Sequence, residues 1–127
     1  MILPFAEAQD KWTVKLNNKL VLTATQEDTL ANTYTISAAD WRKTGCLEIR
    51  YKAADPDPWI RSFLLYDEND NQLLSKDSVN YTRITLSKLR KLFSGKKKLI
   101  IYSVIAPKNP MMMVKVRRVH LCTLLLP

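Results

Sequence analysis

Glycine is almost missing from this chain. Only Gly45 and Gly95 occur among 127 residues, which excludes a glycine-rich phosphate loop, because the dinucleotide fingerprint and the Walker run both need glycines within a few positions of each other. Tight turns must rest on Asn, Asp and Pro, which reach turn geometry through side-chain hydrogen bonds or a fixed φ. Cysteine is limited to Cys46 and Cys122. Two distant cysteines make neither a disulfide scaffold nor the C-x-x-C spacing of zinc and redox sites. Two separate buried thiols are expected, with one disulfide as the alternative. His120 is the sole histidine, too little for a metal centre. It shares a strand face with Cys122, a spacing that does not by itself bring base to nucleophile, and no acid lies nearby in sequence to orient it. These shortages nominate no catalytic residue, metal site or cofactor, and a non-enzyme is expected.

Long apolar runs are also lacking, since none approaches the ~20 residues that span a bilayer. Ala6-Glu7-Ala8 has the small-x-small look of a signal-peptidase site, but Met1 to Phe5 before it has neither a basic region nor enough apolar length. The expectation is a soluble chain, intracellular if Met1 is the true start and exported if Ala6-Glu7-Ala8 is the remnant of a cleavage site.

What is present is strand. The chain is 46% apolar and 25% charged, an ordinary globular composition at the length of one domain. Trp12 to Leu16 and Lys19 to Thr25 flank Asn17-Asn18, a pair able to supply the positive φ angles of a two-residue hairpin. Asn32 to Ser37 is β-rich. From Cys46 to Ala53 the alternation is clean, with Leu47, Ile49 and Tyr51 facing one way and Glu48, Arg50 and Lys52 the other. Ile60 to Tyr66 is apolar in both phases, which predicts a central strand covered on both faces. Gln72 to Lys76, Tyr81 to Leu86 and Lys98 to Ile105 follow. Met111 to Leu126 is too long for one uninterrupted strand, and its phase slips at Arg117-Arg118, predicting a bulge or a break. Ser37 and Ser87 are placed to cap two short helical turns, each ending near a glycine that suits a left-handed terminus. The fold expected is all-β: an antiparallel two-sheet β-sandwich of eight or nine strands with two short helical turns.

An internal repeat is part of that expectation. Thr35-Ile36-Ser37 and Thr85-Leu86-Ser87 stand fifty residues apart, as do Thr44-Gly45 and Ser94-Gly95. The order strand, turn, strand, strand, helix, glycine, strand recurs, predicting a two-fold pseudo-repeat with halves of about 12–54 and 59–106 and a C-terminal strand over 111–126. Facing halves make a sandwich in which the first element of each half is available to complete the other's sheet. Asp55-Pro56-Asp57-Pro58 is the stiff link between them, and Pro107-Lys108-Asn109-Pro110 is its basic counterpart. Met111-Met112-Met113 beyond it reads as core packing, or else as an adaptable contact edge.

Acid stops at Asp77. Residues 1–77 hold nine Lys/Arg against twelve Asp/Glu, a net of −3, while 78–127 hold eleven and no acid, a net of +11. Lys88, Arg90, Lys91, Lys96, Lys97 and Lys98 gather around the second helix, with Lys115, Arg117 and Arg118 on the last strand. They form a candidate anion site for nucleic acid or an anionic glycan. Trp41, Trp59 and Tyr102 are candidate aromatic contacts, the tryptophans for a sugar ring and Tyr102 for a base, although core packing is the plainer role of each ring. Asp67-x-Asn69-x-Asn71 has the oxygen spacing of a calcium loop, but it lacks the loop's glycine and carries Ser78 where a bidentate Glu is needed, so it reads as a hairpin tip. The leading expectation is a binding domain working by surface contact, meeting a protein partner or a second copy through an edge strand. Polyanion binding through the basic half and carbohydrate binding are the alternatives.

Overall fold

The alternation in the sequence resolves into two sheets. The structure is a computed structural model and describes residues 9–55, 59–109, 111 and 117–127. Its elements run β1 Lys11–Leu16, β2 Lys19–Ala24, β3 Thr33–Thr35, α1 Ala38–Arg42, β4 Cys46–Lys52, β5 Trp59–Tyr66, β6 Gln72–Lys76, β7 Tyr81–Thr85, α2 Leu86–Leu92, β8 Lys98–Pro107 and β9 Val119–Leu125. A four-stranded sheet has the order β2-β1-β4-β7 and a five-stranded sheet the order β3-β9-β8-β5-β6. Every pairing is antiparallel except β3 with β9. Trp12, Val14, Leu47 and Ile49 from the first sheet and Phe63, Leu65, Ile101 and Leu124 from the second lie in one buried cluster. This is the all-β two-sheet arrangement that the sequence predicts, with nine strands and two short helices among the described residues.

Outside the described residues lie Ala6-Glu7-Ala8, Pro56 to Pro58 of the link, Pro110, Met112 and Met113, the 112–116 stretch of the long last strand, and the candidate Lys115.

The strand order carries a regularity. β1 lies between β2 and β4, and β5 lies likewise between β6 and β8. The strand that crosses to the opposite sheet is the third of each half, β3 or β7, and not the first. The tight turns after β1 and β5 keep each opening hairpin in one sheet, so the chain can cross only at the next link. Each helix then returns it, α1 from β3 to β4 and α2 from β7 to β8.

Other local expectations need correction. Asn17 and Asn18 do take positive φ, 53° and 67°, and Ser37 does cap α1, accepting from the Asp40 amide at 3.1 Å. α2, however, is capped by Thr85, which accepts from Lys88 N at 3.3 Å, and Ser87 sits exposed within the helix. β5 is covered fully on one face only: Phe63 and Leu65 are buried, while Leu64 and Tyr66 are half-buried and Ile60 is exposed. Its second apolar phase packs sideways on the outer surface, Leu64 standing between Tyr102 and Ser75. The last strand begins at Val119, after Arg117-Arg118, and its register shifts at Leu121 between the Ile101–Cys122 and Tyr102–His120 pairs; the stretch before Arg117 that the predicted break would separate lies outside the described residues.

Gly45 answers a different need from the one predicted. Gly95 has the left-handed φ of 75°, but Gly45 is required by close approach, since a Cβ there would lie 1.8 Å from Asn17 Oδ1. Asn17 is held in place by its amide donating to Cys46 O at 2.9 Å and its Nδ2 to Asp40 O at 3.2 Å. Gly45→Ala is expected to cost about 1–3 kcal/mol by overpacking. Asn17→Gly in the same chain should recover most of that loss, because it empties the space and suits the positive φ. A urea double-mutant cycle checks this, and strictly additive costs would locate the constraint elsewhere.

Candidate functional site

The second-half cations divide into those held by partners and those left exposed. Arg90 donates to Trp41 O at 2.8 Å and Lys43 O at 3.1 Å, tying α2 to the end of α1. Lys96 pairs with Asp67 at 2.8 Å, Arg117 with Glu27 at 2.9 Å and Arg118 with Asp70 at 2.8 Å. Arg118 also lies over the rings of Tyr66 and Tyr102, 4.9 and 4.2 Å from their centroids. Lys88, Lys91, Lys97 and Lys98 are exposed and make no ion pair among the described residues.

A basic surface lies on the outer face of the four-stranded sheet. Because side chains alternate across a strand, burying Trp12, Val14 and Leu16 turns Lys11, Thr13 and Lys15 outward, and burying Leu47, Ile49 and Tyr51 does the same for Glu48, Arg50 and Lys52. β7 adds Tyr81 and Arg83. The register sets Lys11 directly across from Lys52, Thr13 across from Arg50 and Glu48 across from Arg83. Lys11, Lys15, Arg50, Lys52 and Arg83 thus share one face with a single carboxylate, Glu48, which accepts from Tyr81 Oη at 2.9 Å. Arg50 lies 4.5 Å over the Tyr81 ring, which is 39% exposed. A shallow depression of about 200 Å³ opens among Lys11, Thr13, Arg50 and Lys52. Like charges directly opposite on a sheet destabilise it; Lys11 and Lys52 make no ion pair among the described residues, whereas Lys15 stands across from Glu48. Arg50 and Lys52 were legible as an outward phase; their alignment with Lys11 was not, since register joins segments far apart in sequence.

The aromatic candidates are mostly committed to packing. Trp12 is buried, its Nε1 donating to Leu121 O at 2.9 Å. Trp41 and Trp59 are half-buried, each lining an open depression of about 420–430 Å³. Tyr102 sits edge-on to Tyr66 and His120 with Arg118 above it, in company quite different from the lysines beside it in sequence.

The hairpin tip is held by a buried carboxylate. Asp67 is fully buried and accepts from Asn69 N and Asn71 N at 2.9 Å, from Asn71 Nδ2 at 3.2 Å and from Lys96 Nζ at 2.8 Å. The Lys96 bond, then those from Asn71 and Asn69, hold its carboxyl well below the usual carboxylate range. A depressed folded-state pKa contributes stability that is complete above the unfolded value of about 4 and is lost as pH falls toward the folded one. The stability gap between Asp67→Asn and the parent is therefore expected to be widest at neutral pH and to close below about pH 4. Urea unfolding across that range checks it, and a gap independent of pH would mean that the charge contributes nothing.

For chemistry the inventory is thin. His120 is buried, its Nε2 2.7 Å from Thr123 Oγ1 and its amide donating to Glu27 Oε1 at 2.7 Å, and burial lowers its pKa. Cys46 and Cys122 are free, and burial pushes the Cys122 thiol up to about 12. Among the described residues no group of three or more His, Cys, Asp and Glu could hold a metal ion, and no helix is long and apolar enough to cross a membrane. Set beside family models, curated proteins and solved structures, the chain matches none.

Proposed function

We propose that this is a binding domain acting by surface contact, and that the outer face of its four-stranded sheet takes an extended anionic polymer. The observation that carries this reading is the direct opposition of Lys11 and Lys52 beside Arg50, with no carboxylate to relieve it. Same-face residues repeat about every 6.8 Å along a strand, and strands lie about 4.8 Å apart, so the cations form a lattice that a chain of regularly spaced anions can follow. Counterion release then favours binding. Retention on heparin and on single-stranded DNA tests it. Lys11→Gln/Lys52→Gln is expected to elute far earlier than Lys88→Gln/Lys98→Gln, which removes the same charge from α2 and β8. Equal losses would reduce the effect to net charge and end the reading.

A second reading, self-association through an edge, is favoured by β2. Leu20 to Ala24 form a sheet edge without a charge, and Leu20 is exposed, whereas charged or very short edges are the usual guard against pairing. The matched orders β2-β1-β4 and β6-β5-β8 support two copies of one unit as the origin of the fold.

A further inference from the structure

A separate cleft lies where α2 meets the end of the four-stranded sheet. It encloses about 520 Å³ and is lined by Thr44 and Cys46 at the start of β4, Arg83 and Thr85 on β7, and Ser87 and Arg90 on α2. Its walls are fixed to each other: Cys46 pairs with Thr85 in the sheet, and Leu86 N donates to Gly45 O at 2.9 Å.

Both guanidiniums are pinned through one nitrogen. Arg83 Nε donates to Cys46 Sγ at 3.0 Å, and Arg90 places one terminal nitrogen on the carbonyls of Trp41 and Lys43. Each keeps its remaining N–H donors unpartnered among the described residues. No Asp or Glu lines the cleft, and Glu48, across from Arg83, is engaged by Tyr81. Thr85 Oγ1 accepts from Lys88 N, which leaves its proton to donate. Two oriented guanidinium forks and several hydroxyls match a tetrahedral oxyanion, which accepts bidentate hydrogen bonds from arginine. Pinning lowers the entropy lost on binding. The volume exceeds what a lone oxyanion fills and leaves room for a sugar-sized body.

We infer that this cleft binds a phosphate or sulfate monoester of a small polar molecule. The inference does not rest on the polymer reading: Arg83 belongs to both surfaces, but Lys11 and Lys52, whose opposition carries that reading, and Lys15 and Arg50 take no part in the cleft. Glucose 6-phosphate, glucose 6-sulfate, glucose and sodium chloride at matched ionic strength are titrated into ¹⁵N-labelled protein while the arginine Nε–H and backbone amide resonances are followed. Saturable shifts at Arg83, Arg90 and Ser87 are expected with an ester and not with glucose or chloride, and whichever ester saturates names the oxyanion. Arg83→Lys, which keeps the charge and loses the fork, should weaken binding by about tenfold with the remaining amide spectrum unchanged. Lys11→Gln/Lys52→Gln should leave ester binding intact even where it removes polymer binding. Shifts that do not saturate, that chloride reproduces, or that survive Arg83→Lys undiminished overturn the proposal. Loss of ester binding in Lys11→Gln/Lys52→Gln would place the ester on the sheet face and overturn it as well.

Discussion

Trp12→Ala is expected to lower the unfolding free energy by about 3–5 kcal/mol, the range for truncating a large buried aromatic. Three contributions disappear together. The indole is 2% exposed and belongs to the core cluster; it stacks on Tyr51 with centroids 5.6 Å apart; and its Nε1 donates to Leu121 O, joining β1 of one sheet to β9 of the other. Tyr51 carries further load, because the Arg61 guanidinium lies 3.4 Å over its ring and its hydroxyl donates to Asp10 at 2.6 Å. Trp12→Phe keeps most of the packing and leaves the Leu121 carbonyl unpaired, so about 1–3 kcal/mol is expected for it. Urea unfolding of both variants separates packing from the inter-sheet hydrogen bond. If Trp12→Phe matches the parent, the hydrogen bond contributes nothing. If it matches Trp12→Ala, the packing account fails.

That double role explains why the tryptophans resist a functional reading from sequence. A ring at an alternating position is buried or exposed according to which face of the strand meets the other sheet, and for Trp12 that choice agrees with Val14 and Leu16 beside it. The same local logic made the Asn17-Asn18 hairpin, the Leu47–Ile49–Tyr51 face and the Ser37 cap legible, because each depends on residues within a few positions. What failed was non-local. β5 looked doubly covered because Leu64 is apolar between Phe63 and Leu65, yet it serves cross-strand packing on an outer surface. Gly45 looked like a helix terminus because it follows one, whereas the contact that demands it comes from Asn17 in another hairpin.

Counting charge along the chain pointed to the second half, and space rearranges that count. The acids of the first half are drawn away from the sheet surface: Asp10 to Tyr51, Glu27 to Arg117, Asp40 to Lys43, and Asp67 into its hairpin with Lys96. Two of those partners, Arg117 and Lys96, are second-half cations. The pairing therefore takes up part of the basic surplus of the second half and draws these acids off the sheet surface, leaving Lys11 and Lys52 on β1 and β4 without an ion pair among the described residues. Sequence composition cannot anticipate this, since it depends on which loops fold over which strands.

Two opposite effects from one double substitution give the sheet-face reading its most demanding test. If a single-stranded polyanion engages the five cations Lys11, Lys15, Arg50, Lys52 and Arg83, the slope of log affinity against log salt should be about −3.5, which is about a hundredfold loss between 50 and 200 mM salt. Lys11→Gln/Lys52→Gln removes two of the five and should bring the slope to about −2.1, with about a twentyfold loss over the same interval. The control Lys88→Gln/Lys98→Gln should keep the parent slope. Stability should move the other way. The directly opposed lysines repel each other, so neutralising them is expected to raise the unfolding free energy by about 0.2–1 kcal/mol, most clearly at low salt where screening is weak. Fluorescence titrations with a labelled oligonucleotide at several salt concentrations, alongside urea unfolding, measure both. A pair that is merely a tolerated surface feature would give the stability gain with no change of slope. A pair that contacts the polymer gives both, because the repulsion that weakens the empty sheet is relieved when an anion settles between the two ammonium groups.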